Sequence, residues 1–208
     1  MRRTQWFLSI ILFSVSFAFL LYSNTLFAPK NKNQQTASAL PAAGVQPTNI
    51  VVLANKDYYP VLKHHFEKAE KKIEGTIYLF RVTSFPDNEP ADLMRELIAA
   101  HNRKVEVNLV VDLAPESGPE YNEANRHAGE LLKKAGINVH YDTSGVVTHS
   151  KTFVIDGRYC FVGSHNFTHS ALATNEELSL FIDSPELGSK ISEFIRQIPL
   201  SYQARNEK

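Results

Sequence analysis

From residue 50 onward, short β-branched runs alternate with runs of helical period. Residues 50–53, 74–82, 105–111, 137–141, 152–155, 159–162 and 177–182 read as strands; 57–72, 90–103, 119–135 and 186–198 read as helices. Val61, Leu62, Phe66, Ala69 and Ile73 recur at helical spacing, and Asp57 stands where a side chain can cap the first turn. Gly136 ends the third helix as a C-cap residue, and Asp156-Gly157 between two β-rich runs is a hairpin turn signal. This alternation predicts an α/β domain with a mixed, largely parallel sheet and helices on both faces. About 160 residues are available to it, enough for one domain with a real core and too few for two. No internal repeat is visible.

The hairpin carries the chemistry. His149-Ser150-Lys151, then Asp156, then Gly163-Ser164-His165-Asn166 form an H-x-K-x4-D-x6-G-S-x-N pattern that occurs once. In an extended segment residues i and i+2 share a face, so His149 and Lys151 point together while Ser150 points away. An imidazole beside an ammonium suits attack on an anionic phosphodiester: Lys151 offsets phosphate charge, and His149 is nucleophile or proton carrier. The hairpin returns Ser164 and Asn166 alongside, offering a hydroxyl and an amide NH2 to phosphate oxygens, with Gly163 permitting close backbone approach. Asp156 reads either as a member of this set or as a turn cap. No carboxylate cluster and no His/Cys ligand spacing lies nearby, so metal-free, cofactor-free catalysis is expected. Ser164 lacks a G-x-S-x-G elbow and is not a hydrolase nucleophile.

Charge limits the partners. All 22 acidic residues lie beyond position 48, whereas Arg2, Arg3, Lys30 and Lys32 of the 22 basic ones lie before it, leaving the rest of the chain four charges negative. A polyanion must therefore be gripped locally, with Arg81 the first candidate for a groove and Arg103, Lys104, Arg126, Lys133 and Lys134 behind it. A lipid substrate would instead need an apolar rim, for which Phe85-Pro86 and Gly145-Val146-Val147 are available. The lone Cys160 excludes an intrachain disulfide. Residues 4–29 contain no charge and are almost wholly apolar, long enough for a transmembrane helix. The expected organisation is an anchor or signal segment at 1–28, a tether rich in Pro, Ala, Gln and Asn at 29–47, a catalytic domain at 48–200 and a tail at 201–208. Length and the absence of a nearby small-residue cleavage site favour a retained single-pass anchor with the domain periplasmic or otherwise extracytoplasmic, over secretion after cleavage.

These residues resemble the phospholipase D superfamily, whose HKD signature is carried here by His149, Lys151 and Asp156, followed by Gly163-Ser164 and Asn166. The likeness covers about residues 48–200, including YLFRVTS, VEVNLVVD, AGINVHYD and NEEL. In its one-motif layout the chain is similar to Nuc-type endonucleases and to the mitochondrial cardiolipin-hydrolase branch. The resemblance implies that His149 forms a phosphohistidine, that Lys151 and Asn166 bind phosphate with Ser164 assisting, and that Glu177 is the acid that orients the nucleophilic His. Two such histidines are needed and one motif is present, so the resemblance also implies a homodimer with a shared active site. Leu178 departs from close relatives, which often have Asn there. The leading expectation is a membrane-tethered endonuclease on single-stranded or flexible nucleic acid. The alternatives are a phospholipase D cleaving lipid head groups and a silent phosphate-binding module.

Overall fold

A computed structural model describes residues 49–83, 88–142 and 145–200. The expected N-terminal anchor, the tether, the tail and the Phe85-Pro86 pair lie outside the described residues. Among the described residues no helix is long and apolar enough to cross a membrane.

Within 49–200 the apolar runs pair into one sheet. Its strands are β1 (Asn49–Ala54), β2 (Lys72–Ile77), β3 (Glu106–Val111), β4 (Asn138–Tyr141), β5 (Thr152–Ile155), β6 (Tyr159–Gly163) and β7 (Leu178–Asp183). They lie in the order β1-β7-β6-β5-β2-β3-β4. Only β2–β3 and β3–β4 run parallel; β1–β7, β7–β6, β6–β5 and β5–β2 are antiparallel. The sheet is mixed, as expected, but it is not largely parallel. Parallel neighbours need a helical crossover, and the chain supplies two: α2 (Glu89–Asn102) between β2 and β3, and α3 (Pro119–Lys134) between β3 and β4. The turn at Asp156-Gly157, with both residues at positive φ (52° and 69°), instead closes an antiparallel hairpin.

Both faces of the sheet are covered. The large core lies on one side, where Leu62 and Phe66 of α1 (Tyr58–Lys68), Leu93 and Leu97 of α2, and Leu132 of α3 meet Ile73, Ile77, Leu109, Phe153 and Phe161. On the other side, Leu187 and Ile191 of α5 (Pro185–Gln197) pack on Val154, Cys160 and Ile182, which are cross-strand neighbours. Phe153 lies against Gly75, where an added Cβ would sit 2.4 Å from the ring. An alanine there would cost about 1–3 kcal/mol through overpacking.

Some boundaries differ from expectation. Helix α1 stops at Lys68, because Ala69 turns to φ −58°, ψ 133° and the chain enters β2. Asp57 sits at the helix start but its side chain makes no cap hydrogen bond. Strand β2 ends at Ile77, and beyond it only Phe80 bridges to Phe167. A short helix, α4 (His169–Ala173), capped by Thr168, was not anticipated.

Candidate active site

His149 and Lys151 lie just before β5, beside the C-terminal ends of β2 and β3. The backbone there is extended enough for the expected alternation. Lys151 Nζ lies 3.1 Å from His149 Nδ1 and donates to the His149 carbonyl at 2.8 Å, while Ser150 turns away to meet Thr76 Oγ1 at 2.6 Å. Gly163 N donates to the Lys151 carbonyl at 3.3 Å, so the β5–β6 hairpin does return the G-S-x-N segment to this point.

Lys151 is 5 % exposed. Among the described residues no carboxylate is in contact with it. Burial pushes its ammonium down to about 8, a fall only partly offset by the more distant charges of Glu177 and Asp112. His149 is exposed, yet its imidazole is also held below its ordinary value, first by partial burial and then by the Lys151 charge. A neutral imidazole beside a cation is the state a nucleophile at phosphorus needs. With Lys151 donating to Nδ1, however, the ring proton sits on Nε2. Freeing the Nε2 lone pair for attack requires an acceptor that takes a proton at Nδ1.

Glu177 is not that acceptor within one chain. Its carboxylate receives the Ser164 hydroxyl and the Asn175 amide, the latter at 3.1 Å, and does not touch His149. Ser164 Oγ also accepts from Leu178 N at 3.1 Å, so this hydroxyl is committed to the Glu177 segment rather than free for a phosphate. Asn166 is better placed. Its Oδ1 accepts from Leu79 N at 3.2 Å, which leaves the NH2 end for the adjoining cleft that Asn166 lines.

Asp156 stands apart from the others. Five residues beyond Lys151, it lies roughly 16 Å along the strand. There its carboxylate accepts from the amides of Glu70, Lys71 and Lys72, the latter two at 2.8 and 3.0 Å. It ties the α1–β2 connection to the hairpin turn, and the structure does not bring it into the catalytic cluster. The motif glycine also serves folding: a Cβ at Gly163 would collide with Ser179 of β7, whose hydroxyl bonds His165 Nδ1 at 2.7 Å. His165 is fully buried, stacked on Tyr58, with Nε2 on the Asn55 carbonyl at 2.8 Å; it is a core histidine.

Arg81, the first candidate for a substrate groove, lies in a cleft beside Asn166. It bonds Glu120 at 2.8 Å, lies 5.9 Å from the Tyr121 ring and lines a polar cleft of about 450 Å³ with Asn166. The other basic residues do not join it. Arg103 donates to the Phe66 carbonyl, Lys104 precedes the far end of β3, and Lys133 lies over the Tyr141 ring. His149 itself lines a different groove, apolar and of about 440 Å³, with Val146, Val147, Phe194, Ile198 and Pro199. Val146 belongs to the apolar rim anticipated from sequence; Phe194 and Ile198, from the end of α5, were not foreseen.

Three more residues escaped the sequence reading. The Tyr78 ring lies 4.3 Å from the His149 ring and 4.5 Å from Lys151 Nζ. Asp112 and Asp142, at the ends of β3 and β4, both accept from Thr148 N, at 2.9 and 3.0 Å, and so fix the residue before His149. The available signal was positional: each of the three directly follows or ends a parallel strand, where α/β sheets place ligand sites. Among the described residues no group of three His, Cys, Asp or Glu side chains is arranged to hold a metal ion.

Comparison with known proteins agrees with this geometry. Residues 62–198 match the family described as cardiolipin synthase, PLD-like domain. The cardiolipin synthase of Listeria monocytogenes serotype 4a (strain HCC23) is 28% identical over 147 residues, 70% of this chain and 30% of that protein. The mitochondrial cardiolipin hydrolase of Danio rerio is 29% identical over 127 residues, 61% of this chain and 50% of that protein. The chain thus spans half or less of the length of these curated relatives. Among solved structures, the phospholipase D family member Nuc from Salmonella typhimurium superposes with a TM-score of 0.62 at 24% identity, covering 73% of this chain and 94% of that one. With the His149–Lys151 pair of its HKD signature beside the ends of β2 and β3, the chain belongs to the phospholipase D superfamily, in the PLD-like domain family of cardiolipin synthase.

Proposed function

We propose that this chain is a metal-independent phospholipid phosphodiesterase that works through a phosphohistidine on His149. In that scheme His149 Nε2 bonds to phosphorus as the bond to the leaving alcohol breaks, and the alcohol takes its proton from a second imidazole. Water then attacks phosphorus, gives a proton to that imidazole and releases the phosphate monoester, leaving His149 free. Lys151 and the Asn166 amide hold the phosphoryl oxygens throughout. Among the described residues one chain supplies one such imidazole and no acceptor for Nδ1, which supports a homodimer whose second copy brings both. The uncharged segment at residues 4–29 would hold the pair at a membrane with the domain extracytoplasmic, raising their effective concentration.

The observation that carries the lipid reading is the apolar groove ending on His149. In this reading the apolar chains of the substrate would lie along Val146, Val147 and Phe194, and its head group would point toward the polar cleft of Asn166 and Thr168. The endonuclease reading draws on Arg81 and the exposed Tyr121 beside Asn166, a cation and a stacking face within one cleft. Among the described residues it lacks a continuous basic track, since Arg103 and Lys133 are engaged elsewhere and Arg81 is itself paired with Glu120.

The test sets full-length protein in detergent against cardiolipin or phosphatidylglycerol vesicles and, in parallel, against single-stranded DNA. Head-group release with DNA left intact is the expected result. Phe194→Asp should lower turnover of lipid at least about tenfold, the equivalent of losing contact with two methylenes, and lower that of a small soluble diester far less. Cleavage of DNA with vesicles untouched would overturn the lipid reading in favour of the nuclease.

A further inference from the structure

The environment of Lys151 poses a physical problem. A side chain 5 % exposed carries an ammonium with no carboxylate in contact among the described residues, and such a charge is strongly disfavoured unless something replaces water around it. Its contacts are the His149 carbonyl at 2.8 Å, His149 Nδ1 at 3.1 Å and the face of Tyr78, with Nζ 4.5 Å from the ring centroid. Glu177, from the segment before β7, and Asp112, at the end of β3, act only from a distance. The same ring lies against the His149 imidazole at 4.3 Å, tilted 49° to it. It is itself fixed: its backbone carbonyl accepts from Asn125 Nδ2 at 2.8 Å, and Tyr121 meets it edge-on. Among the described residues its hydroxyl has no hydrogen-bond partner, so what Tyr78 offers the site is its face.

We propose that Tyr78 is a positioning residue for the reaction, its π-face holding Lys151 charged and setting the plane of the His149 ring. The inference rests on reading His149 and Lys151 as the phosphodiester-cleaving pair, whichever diester is cut. The negative face of an aromatic ring attracts a cation, and the attraction grows when the pair is desolvated. Because burial has already lowered Lys151 to about 8, losing that face would bring deprotonation into the working pH range. A neutral Lys151 no longer offsets phosphate charge, so turnover should fall on the alkaline side first.

The experiment measures pH–rate profiles of the full-length protein on a soluble phosphodiester and on whichever natural substrate is turned over. Tyr78→Phe keeps the face and should keep the profile. Tyr78→Leu keeps apolar volume without the face and should move the alkaline limb down by about half to one and a half pH units. Should Tyr78→Leu fail to fold, a series with phenylalanine and its mono-, di- and trifluorinated analogues at position 78 keeps the shape while weakening the face stepwise; the limb should then move down in step. An alkaline limb unmoved by Leu or by fluorination, or a Phe variant as impaired as the Leu variant, would overturn the role assigned to Tyr78. His149→Ala separates the two readings: if that variant stays active, the assignment of the cleaving pair has failed instead.

Discussion

At the start of β5, Lys151 is buried with its ammonium against a carbonyl, an imidazole and an aromatic face, and its proton is held loosely. At the end of the same strand, Asp156 is half-buried and holds three backbone amides through its carboxylate. Both residues belong to one signature, yet their surroundings differ in what they leave undone. The first end retains an unmet electrostatic demand, which an arriving phosphate would satisfy. The second has its bonds already made, and what they secure is the join between the hairpin and the α1–β2 connection. A sequence motif can thus combine a reactive part with a folding part, and the hydrogen-bond partners separate them.

The sharpest way to break this comparison is to remove one residue from each end. His149→Ala should lower turnover by about 10⁴-fold or more and abolish trapping of a covalent phosphoenzyme. Because the His149 side chain is exposed and, among the described residues, its imidazole hydrogen-bonds only Lys151, the melting temperature should barely change. Asp156→Ala should do the reverse. Losing the carboxylate at three amides, and placing alanine at φ 52°, should destabilise the fold by about 2–4 kcal/mol, read from urea or thermal unfolding. Activity per folded molecule, assayed well below the melting temperature, should stay within a few-fold of the parent. Asp156→Asn, which tolerates the left-handed conformation and keeps one acceptor, should fall between. A folded but inactive Asp156→Ala protein would place the third motif residue back in the chemistry.

Much of this arrangement was legible in the sequence, for identifiable reasons. Strand–helix alternation, the Asp156-Gly157 turn and the i, i+2 placement of His149 and Lys151 depend on local geometry, and each holds. What failed depends on distant partners. The share of parallel pairing was overestimated because crossovers show in sequence only as helices, while the order of strands in the sheet does not show at all. The helical spacing of α1 runs on through residue 72 because no Gly or Pro marks its end; the chain turns at Ala69, where amides of the next segment meet Asp156. Tyr78 was passed over as part of a strand, since nothing local reveals that its ring meets Lys151 seventy-three residues later. The carboxylates of Asp112 and Asp142 converge on one amide only because β3 and β4 lie side by side.

That last pair gives the smallest of the expected effects and a direct test of how the reactive end is held. Asp112 is fully buried, and burial, with the Asp142 carboxylate beside it, pushes it up to about 6 from an ordinary 3.8; the Ser117 hydroxyl and the Thr148 amide only partly oppose this. A carboxyl whose folded-state value is raised binds its proton more tightly folded than unfolded. Its contribution to stability is therefore present below about 4 and is lost as pH rises through about 6. Asp112→Asn removes that titration while retaining the bonds: Oδ1 still accepts from Thr148 N, and the NH2 group donates to Ser117 and to Asp142. The variant should lose the decline in stability between pH 4 and 6 and be more stable than the parent at pH 8 by about 1–3 kcal/mol. Its loop before His149 should stay in place, leaving turnover at pH 8 within a few-fold of the parent. Unfolding curves for parent and variant that stay parallel across this pH range would show that Asp112 takes up no extra proton on folding. The Thr148 amide would then be sufficient to hold Asp112 ionised, and the reactive end would rest on a charged latch.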